Sequence, residues 1–219
     1  MTMHRHQMAR LSSAGWQRLL NLPWDTEAHD CLHHWADQQL PLVVTRQADD
    51  DAISLGLSAP RRWRHRRLAI RVQRAEVLFF DEFPLLEKLV PQLPHSARTP
   101  ARQLASSLRA CDATARVYGS HGWQYLTGLQ HVHESSDIDV WVSVTGPDHA
   151  DAVAAALDAF AAPTRRLDGE LVFDGDAAVA WREWMAWRNG RARGLLVKRL
   201  RGVAMPASLA LLDASELIA

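Results

Sequence analysis

Cysteine is scarce: two residues, Cys31 and Cys111, stand eighty positions apart with no Cys-x-x-Cys between them. Neither sits in a histidine-rich ligand spacing, so a disulfide framework and a structural zinc site are both excluded as organising devices. Lysine is scarcer than usual, with Lys88 and Lys198 the only two among 25 basic residues, and the rest are arginine. Net charge is absent as well. The 25 basic side chains face 25 acidic ones, which argues against a protein held to nucleic acid by bulk charge. Any site for a polyanion must be local. No run of 18 apolar residues occurs, and residues 1–7 lead into no apolar segment of signal type. A cytoplasmic location with no membrane association is therefore expected. No repeat or low-complexity tract is visible.

What is present is ordinary globular material, 47% hydrophobic and 23% charged over 219 residues, enough for a real core and for one or two domains. Apolar spacing predicts helices over 11–20 and 27–40, with Trp16, Leu19 and Leu20 on one stripe and Leu32, Trp35 and Ala36 on the other. Strands are expected at 42–45, 68–72 and 77–80, with a polar turn at Asp49, Asp50 and Asp51. Four prolines, Pro84, Pro91, Pro94 and Pro100, then punctuate the chain. That density suits a connection, so a seam is expected near 91–99, giving an N-terminal α/β domain over 1–92 and a second domain over 93–219. In the second, the pattern predicts a helix over 99–110 capped by Thr99 with Pro100 in its first turn. A strand at 115–118, a helix from 120 to 127 and a strand at 137–144 follow. Next come an alanine-rich helix at 148–160, a hairpin of 167–173 with 177–184, and a closing helix at 207–218. The fold class expected is α/β or α+β.

The chemistry concentrates in two short segments. Ser136-Asp137-Ile138-Asp139-Val140-Trp141 reads as a strand on which Asp137 and Asp139 share one face while Ile138 and Val140 enter the core. Two such carboxylates repel, and a divalent cation turns that repulsion into ligation. Hard oxygen donors in this number suit Mg²⁺, which takes one or two carboxylates and fills its shell with phosphate oxygens. Tyr118-Gly119-Ser120 supplies the other half. A glycine at a strand-to-helix turn lets the backbone approach a phosphate, and the first N–H groups of the helix are unsatisfied donors. Ser120 lacks the Gly-x-Ser-x-Gly elbow of a serine hydrolase.

This combination resembles the nucleotidyltransferase superfamily that includes DNA polymerase β: Gly-Ser, a short helix, then Asp-x-Asp on the next strand. The likeness narrows with Trp123-Gln124, Leu126-Thr127-Gly128, Asp168-Gly169-Glu170 and Trp181-Arg182-Glu183-Trp184. Together with Tyr118-Gly119-Ser120 and Ser136 to Asp139, these are similar to the malonate decarboxylase holo-acyl-carrier-protein synthase family, the phosphoribosyl-dephospho-CoA transferases. The resemblance is tightest over 117–183. It implies a mixed sheet of nucleotidyltransferase type flanked by helices. It also implies transfer of phosphoribosyl-dephospho-CoA from triphosphoribosyl-dephospho-CoA to a serine of the malonate decarboxylase acyl carrier protein subunit, with loss of diphosphate. Asp137 and Asp139 become the Mg²⁺ ligands. A third carboxylate is usual in the superfamily, and Glu170 is the choice, with Asp168 and Glu183 as alternatives. The citrate lyase carrier protein, a small molecule or RNA as acceptor, and a non-catalytic nucleotide-binding module, are the competing readings.

Other residues carry two readings. Arg61, Arg62, Arg64, Arg66, Arg67, Arg71 and Arg74 form a run without an acid among them. It is either a solvated, salt-bridged face or a cradle for CoA-like phosphates, with Arg62 and Arg67 as the contacts. Lys198, in a second basic cluster with Arg191, Arg193, Arg199 and Arg201, is a candidate triphosphate contact. Trp123 and Trp141 are expected in the core, and His131 and His133 in solvent-facing loops.

Overall fold

A computed structural model describes residues 3–204 as two compact units. Of the described residues, the first comprises 3–83 and 123–132, the second 84–122 and 133–204. Residues 84–92, expected with the first domain, thus fall in the second.

The first unit is an antiparallel sheet of five strands in the order β4-β3-β2-β1-β5 with two helices: β1 (Met8–Leu11), α1 (Ser13–Leu20), α2 (Thr26–Asp37), β2 (Leu42–Val44), β3 (Ala52–Ser58), β4 (Arg67–Gln73) and β5 (Val77–Asp81). Both helices carry side-chain caps. Ser12 accepts from the Gly15 N–H and Asp25 from the Ala28 N–H, each satisfying a donor the first turn leaves open. Trp16 and Leu19 on α1, and Leu32, Trp35 and Ala36 on α2, are buried as their spacing requires. Two strands are additional to the sequence reading. β1 lies where the helix over 11–20 was expected to begin. β3 has strict alternation, with Ile53, Leu55 and Leu57 buried and their neighbours half-exposed.

The arginine run is largely spoken for within this unit. Arg64 forks onto Glu27 at 2.9 and 3.0 Å, Arg66 pairs with Asp25, Arg71 with Asp50, and Arg62 lies 3.7 Å from Asp30 while its guanidinium stacks on Trp63. Arg67 is exposed on β4. Trp123 is buried edge-on against Phe83. His131 is a correction: it is 2% exposed rather than a solvent-facing loop residue, stacked on Trp123 at 6.3 Å between centroids. Gln124 holds it there, its Oε1 accepting from the backbone N–H groups of His131 and Val132. His133 is exposed as expected.

The second unit comprises α3 (Leu86–Leu89), α4 (His95–Ala110), β6 (Ala115–Val117), α5 (Gly119–Thr127), β7 (Ile138–Ser143), α6 (Pro147–Asp158), β8 (Leu167–Phe173), β9 (Ala177–Ala180), α7 (Trp181–Arg188), β10 (Val197–Lys198) and β11 (Val203–Ala204). The rear turns of α5 belong to the first unit. Six strands form one mixed sheet, β11-β10-β9-β8-β7-β6, in which only β7 and β8 run parallel, joined through α6. An α+β class with a smaller N-terminal domain results. One sheet face is apolar: Val117, Ile138, Val140, Val142, Leu167, Leu171 and Phe173 are buried there. Trp184 of α7 donates to Asp151 of α6 at 2.8 Å and tilts against Phe173.

Three expected boundaries change. α4 starts at His95, so Thr99 is no cap and Pro100 sits in its sixth position, where it forfeits the bond to the Ser96 carbonyl and crowds that carbonyl with its ring. The second arm of the hairpin ends at Ala180, and residues 181–184 open α7 because Trp181 and Trp184, three apart, both bury on one helix face. The closing helix expected at 207–218 lies outside the described residues.

His131 gives a prediction. Burial first, and the nearby charge of His65 second, hold its imidazole down to about 4. The folded chain therefore binds fewer protons than the unfolded one between the ordinary histidine value and about 4. Its contribution is complete above pH 6.5 and is lost as the pH falls toward 4. His131→Phe keeps the stack and removes the titration. Urea unfolding at pH 7.5 and 4.5 should show the variant losing roughly 2–3 kcal/mol less than the parent over that interval.

Candidate active site

The parallel pair β7–β8 sets the geometry. Asp139 is in register with Asp168, Val140 with Gly169 and Trp141 with Glu170. Since side chains alternate along both strands, Asp137, just ahead of β7, shares a face with Asp139, and Asp168 and Glu170 lie on that same face one strand over. Four carboxylates thus crowd one face of the sheet, opposite the apolar one. Gly169 permits the approach of the two strands. Its φ is +150°, and a Cβ there would stand 1.8 Å from the Val140 carbonyl oxygen, so no other side chain fits.

The strand-to-helix turn closes on the same acids. The Tyr118 N–H donates to the Asp139 carbonyl at 2.9 Å, tying β7 to the start of α5. Gly119 follows at φ +60°, and a Cβ added to it would meet Asp139 Oδ2 at 2.0 Å. The carboxylate therefore occupies the space that only glycine leaves open. Ser120, half-buried, begins the first turn beside it.

Charge inside this cluster is unevenly compensated. The Asp139 carboxyl is pushed up to about 7, first by burial, then by the like charges of Asp168 and Asp137, with Arg166 opposing and Glu170 adding to the effect. Arg166 spans two of the acids, with Nε 3.3 Å from Asp137 Oδ2 and Nη2 3.1 Å from Asp168 Oδ2. Glu170, 4% exposed, accepts from Lys198 Nζ at 2.8 Å. At Asp139, Arg166 opposes the like charges of Asp168, Asp137 and Glu170. Among the described residues no group of three or more His, Cys, Asp or Glu side chains is arranged to hold a metal ion by itself. An all-oxygen, electron-rich but incomplete donor set fits a cation that arrives with further oxygen ligands of its own.

The structure brings together Asp137, Asp139, Asp168, Glu170, Gly119 and Lys198. It sets Glu183 apart: this residue was expected on the partner strand but is exposed on the first turn of α7. Arg62 and Arg67 belong to the first unit. Two residues join the site face beyond those expected. Arg166 alternates with Asp168 and Glu170, a period-2 signal legible in the sequence. Trp141, expected in the core, is half-exposed two positions along from Asp139, with the Arg116 guanidinium 5.9 Å from its ring centre.

Comparison with known proteins gives the family. Residues 84–208 match the family model described as the phosphoribosyl-dephospho-CoA transferase MdcG C-terminal domain, and residues 4–83 match that of the MdcG N-terminal domain. A protein of Bradyrhizobium diazoefficiens named phosphoribosyl-dephospho-CoA transferase is 34% identical over 206 residues, covering 92% of this chain and 88% of its own. One of the same name from Xanthomonas euvesicatoria pv. vesicatoria is 33% identical over 171 residues, 76% of this chain and 78% of its own. A Klebsiella pneumoniae namesake is 28% identical over 190 residues, 82% and 87% of the two chains. No solved structure matches. The chain belongs to the phosphoribosyl-dephospho-CoA transferase family, a family of transferase enzymes.

Two predictions come from the crowding. Because the Asp139 carboxyl titrates in the fold near 7, above its ordinary range, its ionisation costs stability. That cost is full above pH 7 and shrinks as the pH falls toward 4. Asp139→Asn should therefore stabilise the chain by roughly 4 kcal/mol at pH 8.5 and by progressively less in acid, read from urea midpoints. Gly119→Ala should destabilise by about 2 kcal/mol. Roughly half of that should disappear when it is made on Asp139→Ala, as a double-mutant cycle would show.

Proposed function

We propose that this chain transfers the phosphoribosyl-dephospho-CoA group from triphosphoribosyl-dephospho-CoA to a serine of the malonate decarboxylase acyl carrier protein subunit, in the cytoplasm and with diphosphate as the leaving group. The observation that carries the reading is the seat of Asp139. It lies against the glycine that opens α5, with Asp137 beside it and Asp168 and Glu170 on the next strand. A strand edge rich in carboxylates, facing a helix start rich in N–H donors, suits a polyphosphate ester brought in with a hard cation.

Asp137 and Asp139 are the residues that would hold Mg²⁺, which when bound neutralises phosphate charge and favours expulsion of diphosphate. The chain's own residues do the rest. Gly119 and the first turn of α5 receive phosphate oxygens through backbone N–H groups, Ser120 among them. The acceptor serine's oxygen bonds to the α-phosphorus as the bond from that phosphorus to the bridging oxygen of the leaving diphosphate breaks. The serine proton passes to a carboxylate on β8. Glu170, held in place by Lys198, is the proposed acceptor; Asp168, in register with Asp139, is the rival. Such a reaction asks mainly for placement and charge compensation, and the cluster supplies both from one rigid strand pair.

The alternatives differ in the acceptor: a citrate lyase carrier protein, a small molecule or an RNA, or no transfer at all in a nucleotide-binding module. Residues 137 and 139 favour chemistry over binding alone, because a binding module has no need of a carboxylate held at an energetic cost. No helix among the described residues is long and apolar enough to cross a membrane. The test is intact mass of the purified carrier subunit after incubation with the chain, Mg²⁺ and the triphosphate donor. The expected result is a gain of one phosphoribosyl-dephospho-CoA unit and one diphosphate released per adduct. Asp137→Asn and Asp139→Asn should each lower the rate by at least about a hundredfold while melting cooperatively. Glu170→Gln losing more than Asp168→Asn would assign the proton acceptor. An unmodified carrier, or unimpaired Asp variants, would sink the reading.

A further inference from the structure

Arg166 is placed to do more than balance charge. Its backbone is fixed, since the Ile138 N–H donates to its carbonyl at 2.9 Å ahead of the parallel strand pair. Its side chain is 60% exposed and spans from Asp137 to Asp168. The neighbouring Arg165 turns instead to the carbonyls of Glu134 and Thr164, so Arg166 is the arginine of this segment committed to the acids. The Lys198–Glu170 pair is of another kind: Glu170 is buried, and breaking that pair strands a charge. The Arg166 contacts are solvated and weak, and weak pairs exchange.

One of those contacts falls on Asp137, half of the carboxylate pair. The guanidinium occupies an oxygen that an incoming cation needs, and a planar fork that fits carboxylates fits phosphate oxygens equally well. We propose that Arg166 is an exchangeable counter-ion: it occupies Asp137 and Asp168 while the site lacks triphosphate, and moves to the phosphate oxygens when the metal–triphosphate enters. This rests on reading the acid pair as a triphosphate site. Metal alone must then displace the arginine with nothing to offer it in return, whereas the metal–triphosphate complex supplies it a new partner. The site consequently discriminates against the free ion and favours the complex, and the two affinities are coupled through a single side chain.

Calorimetric titration of Mn²⁺ alone, and of the preformed Mn²⁺–tripolyphosphate complex, into the full chain and Arg166→Gln tests this. The variant should bind Mn²⁺ alone about tenfold more tightly and the complex about tenfold more weakly. Arg166→Lys keeps the charge but not the fork and should fall between on both measures, which separates exchange from a loss of fold. An unchanged Mn²⁺ affinity in Arg166→Gln, or two affinities that shift in the same direction, overturns the assignment. The carrier-adduct assay on the parent chain reports separately on the transferase reading. No adduct sinks that reading, whereas adduct formation with an unmoved Mn²⁺ affinity sinks only the role of Arg166.

Discussion

Burial of the apolar side of β7 is the constraint on which the acid cluster of the second unit depends, because it holds carboxylates together on the opposite face of the β7–β8 pair against their mutual repulsion. Asp139 is the group most affected, because burial removes the water that would screen it and the register sets Asp168 directly across from it. A folded chain gains nothing from such an arrangement by itself. It is tolerated because the backbone over-determines it: Ile138, Val140 and Val142 are fully buried on the opposite face, and a slip of one residue would move all of them into solvent. The apolar side of β7 thus fixes the direction of its acidic side. Two glycines then set how close the neighbours come, Gly169 admitting the Val140 carbonyl and Gly119 admitting the Asp139 carboxylate.

Charge is handled differently in the two units. In the first, arginines and acids are matched pairwise on exposed surfaces, Arg64 with Glu27, Arg66 with Asp25 and Arg71 with Asp50. Such pairs contribute little each, and their chief consequence is that little fixed charge is left over. In the second, burial and neighbouring carboxylates raise Asp139 despite the Arg166 guanidinium. A chain with zero formal net charge therefore still gathers acids at one place, and that cluster, rather than any bulk field, is what a cation-bearing substrate meets.

The legible part of the fold was the part where one face of an element is buried and the other is not. β7 is the clearest instance: Asp137, Ile138, Asp139 and Val140 alternate polar and apolar, so the facing of the acid pair was readable from the sequence, while Trp141, apolar but on the acidic face, was not. The same period was present in β3, at Ile53, Leu55 and Leu57, but it follows Asp49, Asp50 and Asp51, and the turn signal overrode it. Trp181-Arg182-Glu183-Trp184 was ambiguous by nature, since two tryptophans three apart satisfy a helix while Ala177 to Ala180 just before them satisfy a strand. Taking the segment as one strand put Glu183 among the acids. His131 was misplaced because polarity was read as exposure. Its burial depends on Trp123 and Gln124, eight and seven residues away in sequence, and nothing local announces it.

The candidate site was legible to the same depth. Asp137, Asp139 and the Gly119 turn come from local rules of alternation and turn chemistry. Their convergence with Asp168 and Glu170 requires the parallel register, which no short segment encodes. Arg166 and Lys198 sit between these cases. Each is readable as a basic residue near an acid, but their different roles depend on burial. Lys198 holds an acid that water scarcely reaches, so its pair is costly to open without a replacement charge. Arg166 holds acids at the surface and can let go. The less secure of the two contacts is thus the one poised to respond to an incoming anion, and the more secure one keeps the buried carboxylate in place until it does.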